Sequence, residues 1–249
     1  MSFLHRAAFF ITAAKLSDLT FPSSAEVAFV GRSNSGKSSA INTLANQRRL
    51  AFTSKTPGRT QQLNYFALGA DRFLVDLPGY GYAKVQKAEH KRWGGFLSGY
   101  LQSRAPLVGL VLIMDARRPL TELDCQMLDW FTPRGIPVHA LLTKADKLGR
   151  SEQTRVLVKV QGEMAKYGPM CSASLFSSLK KTGVEAMAEV LAVWLGFPEP
   201  TQKEAPRKKL GRGELTHSTA IKASRIRHPL REEKRETRKR LGHILSKPG

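Results

Sequence analysis

Short apolar runs alternate with longer amphipathic ones along the first 196 residues, and that alternation predicts the architecture. The runs at 26–30, 63–68, 72–75, 107–114, 138–142 and 170–175 read as strands, being apolar and too short for helices. Between them, residues 39–45, 87–103, 120–131, 151–166 and 184–194 place apolar side chains at helical spacing. Trp93, Leu97, Tyr100 and Leu101 form one such stripe, read as core. Strands alternating with helices predict an α/β fold. The expected sheet is six-stranded and mostly parallel, with helices on both faces and ligand at the carboxyl ends of the strands. The strand at 63–68 is expected to be antiparallel, because only residues 69–71 separate it from the next. The apolar run at 9–14 is too short for a signal core and is soon followed by Lys15 and Asp18; an edge strand and a loop are expected over 1–24. Past residue 196 the pattern stops. Pro198, Pro200 and Pro206 punctuate a polar linker, and 208–249 is basic with few apolar residues, so 197–249 reads as a linker and a tail disordered when free. The expected organisation is thus 1–24, a globular domain over 25–196, and 197–249.

Chemistry enters where the first strand ends. Gly31, Arg32, Ser33, Asn34, Ser35, Gly36, Lys37 and Ser38 spell G-x-x-x-x-G-K-S between a strand and a helix, the setting a phosphate loop requires. Its glycines let successive backbone N–H groups turn inward at an anion, and the following helix adds its positive end. Lys37 would reach the β- and γ-phosphates, and the Ser38 hydroxyl would ligate Mg²⁺. Asp76, Leu77, Pro78 and Gly79 form D-x-x-G after another strand. Asp76 would hold the metal through water, and the Gly79 N–H would meet the γ-phosphate. Thr143, Lys144, Ala145 and Asp146 form T-K-x-D after the strand at 138–142. A carboxylate there accepts both N1–H and N2–H₂ of guanine, a pairing adenine cannot offer. Residues 48–61 are polar and turn-rich and read as a first switch. Within it Thr60, beside the next strand, is preferred over Thr56 as a metal ligand. A fifth element should brace the base. Ser172-Ala173-Ser174 competes with Ser177-Ser178-Leu179; the first lies inside a strand and the second after it, so Phe176, Ser177 and Ser178 are chosen, with their backbone N–H groups facing guanine O6.

The order of these motifs resembles the Era-like, translation-factor-related GTPases, and their wording is similar to the EngB family over about residues 3 to 196. The strings at 26–39, 54–61, 76–83, 143–146 and 176–183 carry that resemblance. It implies a P-loop GTPase domain with a Mg²⁺-dependent GTP/GDP switch, slow intrinsic turnover, and roles in large ribosomal subunit assembly and in cell division and septation. It carries nucleotide contacts onto the phosphate loop together with Ser39, onto Gly58, Arg59, Thr60, Gln61 and Gln62, and onto the motifs at 76–79, 143–146 and 176–178. Lys37, Thr60 and Gly79 are the expected catalytic contributors; Ser38, Thr60 and, through water, Asp76 the expected metal ligands. Serine at 35 departs from the family's commoner valine.

Many switch GTPases place glutamine just after D-x-x-G to orient the attacking water. Tyr80 stands there instead and is no base at neutral pH, its ordinary pKa being about 10. Something else must complete hydrolysis: a partner, or K⁺ held by Asn34. Asn34 equally reads as a residue that only stabilises the loop. The rival reading is a GTP-sensing RNA- or ribosome-binding module with negligible hydrolysis. A GTPase subunit of an RNA-modifying enzyme is disfavoured, since no second catalytic constellation is visible.

Charge changes the picture once more. Forty Lys and Arg face twenty Asp and Glu, a net +20 far beyond what solubility needs. The excess is denser over 197–249, with fifteen basic and six acidic residues. A polyanionic partner is expected, the large ribosomal subunit or its precursor and its RNA; a merely solvated tail is the alternative. Cys125 and Cys171 cannot build a four-ligand zinc site and suit a reducing cytosol. No run is long enough to cross a membrane. A cytoplasmic monomer is expected.

Overall fold

A computed structural model describes residues 2–52, 62–80 and 96–197. Among these residues one sheet contains β1 (Ala8–Ala13), β2 (Ala25–Gly31), β3 (Leu63–Gly69), β4 (Arg72–Asp76), β5 (Leu107–Asp115), β6 (Val138–Thr143) and β7 (Cys171–Leu175). Their spatial order is β1-β3-β4-β2-β5-β6-β7. β3 runs antiparallel to both neighbours, and the pairs from β4 through β7 are all parallel. The tight connection between β3 and β4 forces that reversal: Ala70 and Asp71 both adopt positive φ, as in a two-residue hairpin turn. The expected six strands gain β1 at the edge.

The helices are α1 (Lys37–Leu44), α2 (Phe96–Ser103), α3 (Glu122–Phe131), α4 (Arg150–Lys166) and α5 (Val184–Leu195). Residues 87–95 of the expected helix 87–103 lie outside the described residues. Strand periodicity divides the core between two faces. Val111 and Ile113 of β5 pack with Ile41 and Leu44 of α1 and with Met187 and Leu191 of α5. Leu110, Leu112 and Met114 pack with Tyr100 of α2, Leu128 of α3 and Val160 of α4. β2 is buried along its whole length, so its last residue enters the phosphate loop from a fixed direction.

One charge is buried at the start of β2. Glu26 accepts hydrogen bonds from Tyr65 (3.1 Å), Tyr100 (2.9 Å), and Arg104 Nε (3.0 Å) and Nη2 (2.6 Å). The carboxylate is paired and its lone pairs are used, the condition under which a buried charge is tolerated. Burial, followed by the Glu26 charge, pushes both tyrosine pKa values up. The cluster ties α2 to β2 and β3.

Candidate functional site

β2 delivers the chain to the phosphate loop and β5 closes its floor. A Cβ added at Gly31 would stand 2.6 Å from the Ile113 carbonyl oxygen, so only glycine permits this approach. Gly36, the residue before α1, has φ +103°, and a Cβ there would lie 3.1 Å from Thr143 Oγ1. Asn34 also adopts positive φ. The first hydrogen bond of the helix runs from Ala40 N–H to the Gly36 carbonyl (2.9 Å). The N–H groups of Lys37, Ser38 and Ser39 therefore precede the ladder and open at the positive helix end. The loop offers fewer inward donors than the motif alone suggests. Ser33 N–H binds the Tyr80 carbonyl (2.9 Å), and Ser35 N–H binds the Arg32 carbonyl (3.0 Å). Ser35 Oγ and Arg32 Nε are buried without a hydrogen-bond partner.

β4 runs parallel to β2 and brings Asp76 beside the loop; its carboxylate forms an ion pair with Lys37 Nζ. Ser38 Oγ lies next along α1 and donates to the Phe52 carbonyl (3.4 Å). These hard oxygens suit Mg²⁺ together with phosphate, and among the described residues no cluster of three or more His, Cys, Asp or Glu offers a rival metal site. Leu77 N–H donates to the Phe29 carbonyl (3.0 Å). Beyond Pro78 and Gly79, Tyr80 is only 3% exposed, and its hydroxyl donates to Asp124 Oδ1 (2.6 Å). Burial, followed by the Asp124 charge, pushes that phenol far above its ordinary pKa. Gly58, Arg59, Thr60 and Gln61, with Thr56, lie outside the described residues; Gln62 immediately precedes β3.

At the other end β6 carries T-K-x-D. Thr143 Oγ1 donates to the carbonyls of Ser35 and Met114, tying the strand to the loop floor. Lys144 has φ +58° and its ammonium reaches the Asn34 carbonyl (2.7 Å) and Asp115 (3.0 Å). Burial raises the Asp115 pKa, but hydrogen bonds from Arg117 and Lys144 prevail and hold it well below the carboxylate range. Asp146 accepts a hydrogen bond from Ser177 Oγ (2.6 Å), which lowers its pKa. Ala145 N–H donates to the Phe176 carbonyl (3.1 Å).

The three N–H groups expected to face guanine O6 do not behave alike. Phe176 N–H continues the pairing with β6 through the Leu142 carbonyl (2.8 Å), and Ser177 N–H closes a turn onto Thr182 (3.0 Å). Ser177 acts instead through its hydroxyl, which donates to Asp146. The sequence reading missed Asp115, although it ends a parallel strand at the sheet's carboxyl edge. It also missed Asp124, whose partner is distant in sequence. Leu179, part of one of the two sequence candidates for the base, is 76% exposed just beyond Ser178.

A family model described as a 50S ribosome-binding GTPase matches residues 26–144. A probable GTP-binding protein EngB of Methylobacillus flagellatus is 56% identical over 205 residues, covering 82% of this chain and 99% of its own. Its counterpart in Thiobacillus denitrificans is 59% identical over 192 residues, covering 77% and 92%. Among solved structures, a probable GTP-binding protein engB superposes with TM-score 0.55 at 19% identity, covering 69% of this chain and 99% of that one. Era superposes with TM-score 0.52 at 22% identity, covering 71% and 58%. Those two likenesses concern the fold. The sequence matches are close and extend across nearly the whole of each relative: this chain belongs to the EngB family of GTP-binding proteins, and it is a GTPase.

Proposed function

We propose that this GTPase is a Mg²⁺-dependent switch acting on the large ribosomal subunit during its assembly, in the cytoplasm, and that normal cell division and septation depend on it. The observation carrying the nucleotide chemistry is the bracing of both ends of the site by β6. Lys144 holds the phosphate loop while Asp146, two residues on, is fixed by Ser177. Asp146 then accepts the two guanine donors, Ser178 N–H meets O6, and the Lys144 stem and Leu179 cover the base faces. Ionised well below neutral pH, Asp146 is an acceptor throughout the physiological range. The N–H groups at the start of α1 take the phosphates, and Lys37 leaves Asp76 for the β- and γ-phosphates. Ser38 and Thr60 would hold Mg²⁺ directly and Asp76 through water, and the bound ion would supply positive charge to the phosphates. Gly79 N–H meets the γ-phosphate.

Tyr80 is bound to Asp124 and so does not orient the attacking water. This supports slow intrinsic hydrolysis, with the missing contribution supplied by the ribosome or by K⁺ at Asn34. It equally favours the second reading, a GTP-sensing module that hardly hydrolyses. Single-turnover GTP hydrolysis with and without large-subunit particles, in K⁺ and in Na⁺, separates the two. A rate that neither raises sinks the assisted-GTPase reading. Base recognition is tested by Asp146→Asn, which swaps an acceptor for a donor. Xanthine nucleotides should then bind better than guanine ones; unchanged GTP binding with no gain for XTP shows that Asp146 does not read the base.

A further inference from the structure

Among its contacts, Tyr80 is held at three points that bear on the site. Its N–H donates to the Gly31 carbonyl (3.2 Å) and its carbonyl accepts from Ser33 N–H (2.9 Å), so its backbone bridges the phosphate loop. The third point is the phenol, 2.6 Å from Asp124 Oδ1. That carboxylate cannot swing away. Its other oxygen accepts from Thr121 N–H (2.9 Å) and Thr121 Oγ1 (2.8 Å), closing the N-terminal cap of α3. Asp124 is 1% exposed, and the helix start favours its charge. A charge-assisted hydrogen bond between two buried, otherwise fixed groups is the kind that holds geometry.

We propose that Asp124 is a positioning residue of the GTPase site: acting through Tyr80, it pins the Gly79–Tyr80 peptide against residues 31–33. The pin sets where Gly79 N–H stands before the γ-phosphate arrives. Tyrosine at this position serves the site as an anchor, whereas glutamine in other switch GTPases serves it as a water ligand. The proposal rests on the reading of Gly79 as the γ-phosphate contact.

The test uses the full chain with Tyr80→Phe, Asp124→Asn and the double variant. Each single change alters the phenol–carboxylate hydrogen bond with little loss of side-chain volume. Hydrogen bonds to charged groups correspond to roughly 10- to 100-fold in an equilibrium. GTP affinity and single-turnover rate should each fall about tenfold in either single variant, with GDP affinity within about twofold of wild type. The double variant should be no worse than either single, as for two groups acting as one unit. A purely structural role would instead lower GTP and GDP affinity together with the unfolding midpoint. That result, or additive losses in the double variant, overturns the proposal. Should Asp124→Asn fail to fold, Tyr80→Phe alone decides GTP against GDP.

A chain with a backbone ester at residue 79, which replaces the Gly79 N–H by oxygen and leaves the residue otherwise unchanged, is measured beside them. If the ester and the pin variants all keep the wild-type preference for GTP over GDP, the Gly79 reading has failed and the pin with it. If only the ester loses that preference, the pin alone is overturned.

Discussion

Ser35 carries the clearest local conflict in the site. It is 4% exposed and its hydroxyl has no hydrogen-bond partner. Such a group loses water on folding and gains nothing in return. Ser35→Ala removes the hydroxyl without adding volume and should raise unfolding free energy by about 1 kcal/mol. GTP affinity should stay near wild type, since the loop holds phosphate through its backbone. Urea unfolding checks the first expectation and nucleotide titration the second; a less stable variant would show that the hydroxyl is satisfied. The contrast with neighbouring residues explains what could be read from sequence. Lys37, Asp76, Lys144 and Asp146 could be proposed from sequence because phosphate and guanine chemistry calls for their types and spacing, and the fold brings Lys37 to Asp76 and Lys144 to the phosphate loop. Asp115 and Asp124 were not, because their roles come from partners that meet them only in three dimensions: Lys144 for the first and Tyr80 for the second. Which backbone N–H groups stay open was equally hidden. Ser177 N–H is used by Thr182, a consequence of a turn that no motif records.

At the scale of elements, the parallel strands and the helices between them were readable because each is apolar with a period of its own. The reversal of β3 was readable from the three-residue gap before β4. The packing beneath β7 was less visible. His139 on β6 is 4% exposed, with Nδ1 2.8 Å from Ser172 Oγ and Nε2 2.8 Å from Ser174 Oγ, both on β7. The sequence already placed these serines in a strand rather than in a base-binding loop, and β7 contains them; what it did not reveal is the buried imidazole they face. Burial lowers the His139 pKa from 6.5 to about 4. The unfolded chain thus binds a proton through a range where the folded chain does not. The stability due to neutral His139 is fully present above pH 6.5 and is lost as pH falls from there to about 4. That separation corresponds to about 3 kcal/mol. Urea unfolding across this range should show the decline, and His139→Gln should flatten it. An equal pH slope in the variant would assign the decline to other groups.

For the whole molecule, the question is how a domain that binds GTP would meet the polyanion proposed for it. Every residue proposed to contact nucleotide lies at or before Leu179, whereas positive charge is densest over 197–249. The proposal therefore makes the two functions separable along the chain. Deleting 207–249 should leave GTP and GDP affinity nearly unchanged. Binding to large-subunit particles should weaken, because each phosphate neutralised by Lys or Arg releases counterions. The log–log slope of affinity against salt should flatten by roughly 0.7 to 0.9 for each phosphate that the truncated chain leaves unneutralised. Preference for the GTP form should survive, since Asp76, Gly79 and Tyr80 belong to the folded domain, where Phe29, Gly31 and Ser33 hold the segment in place. Sedimentation binding across a salt series, with GTP and with GDP, measures all three quantities at once. If truncated and full-length protein bind with the same affinity and slope, the tail is a solvated appendage, and the folded domain alone carries recognition. If truncation instead abolishes the difference between GTP and GDP, the tail takes part in the switch itself.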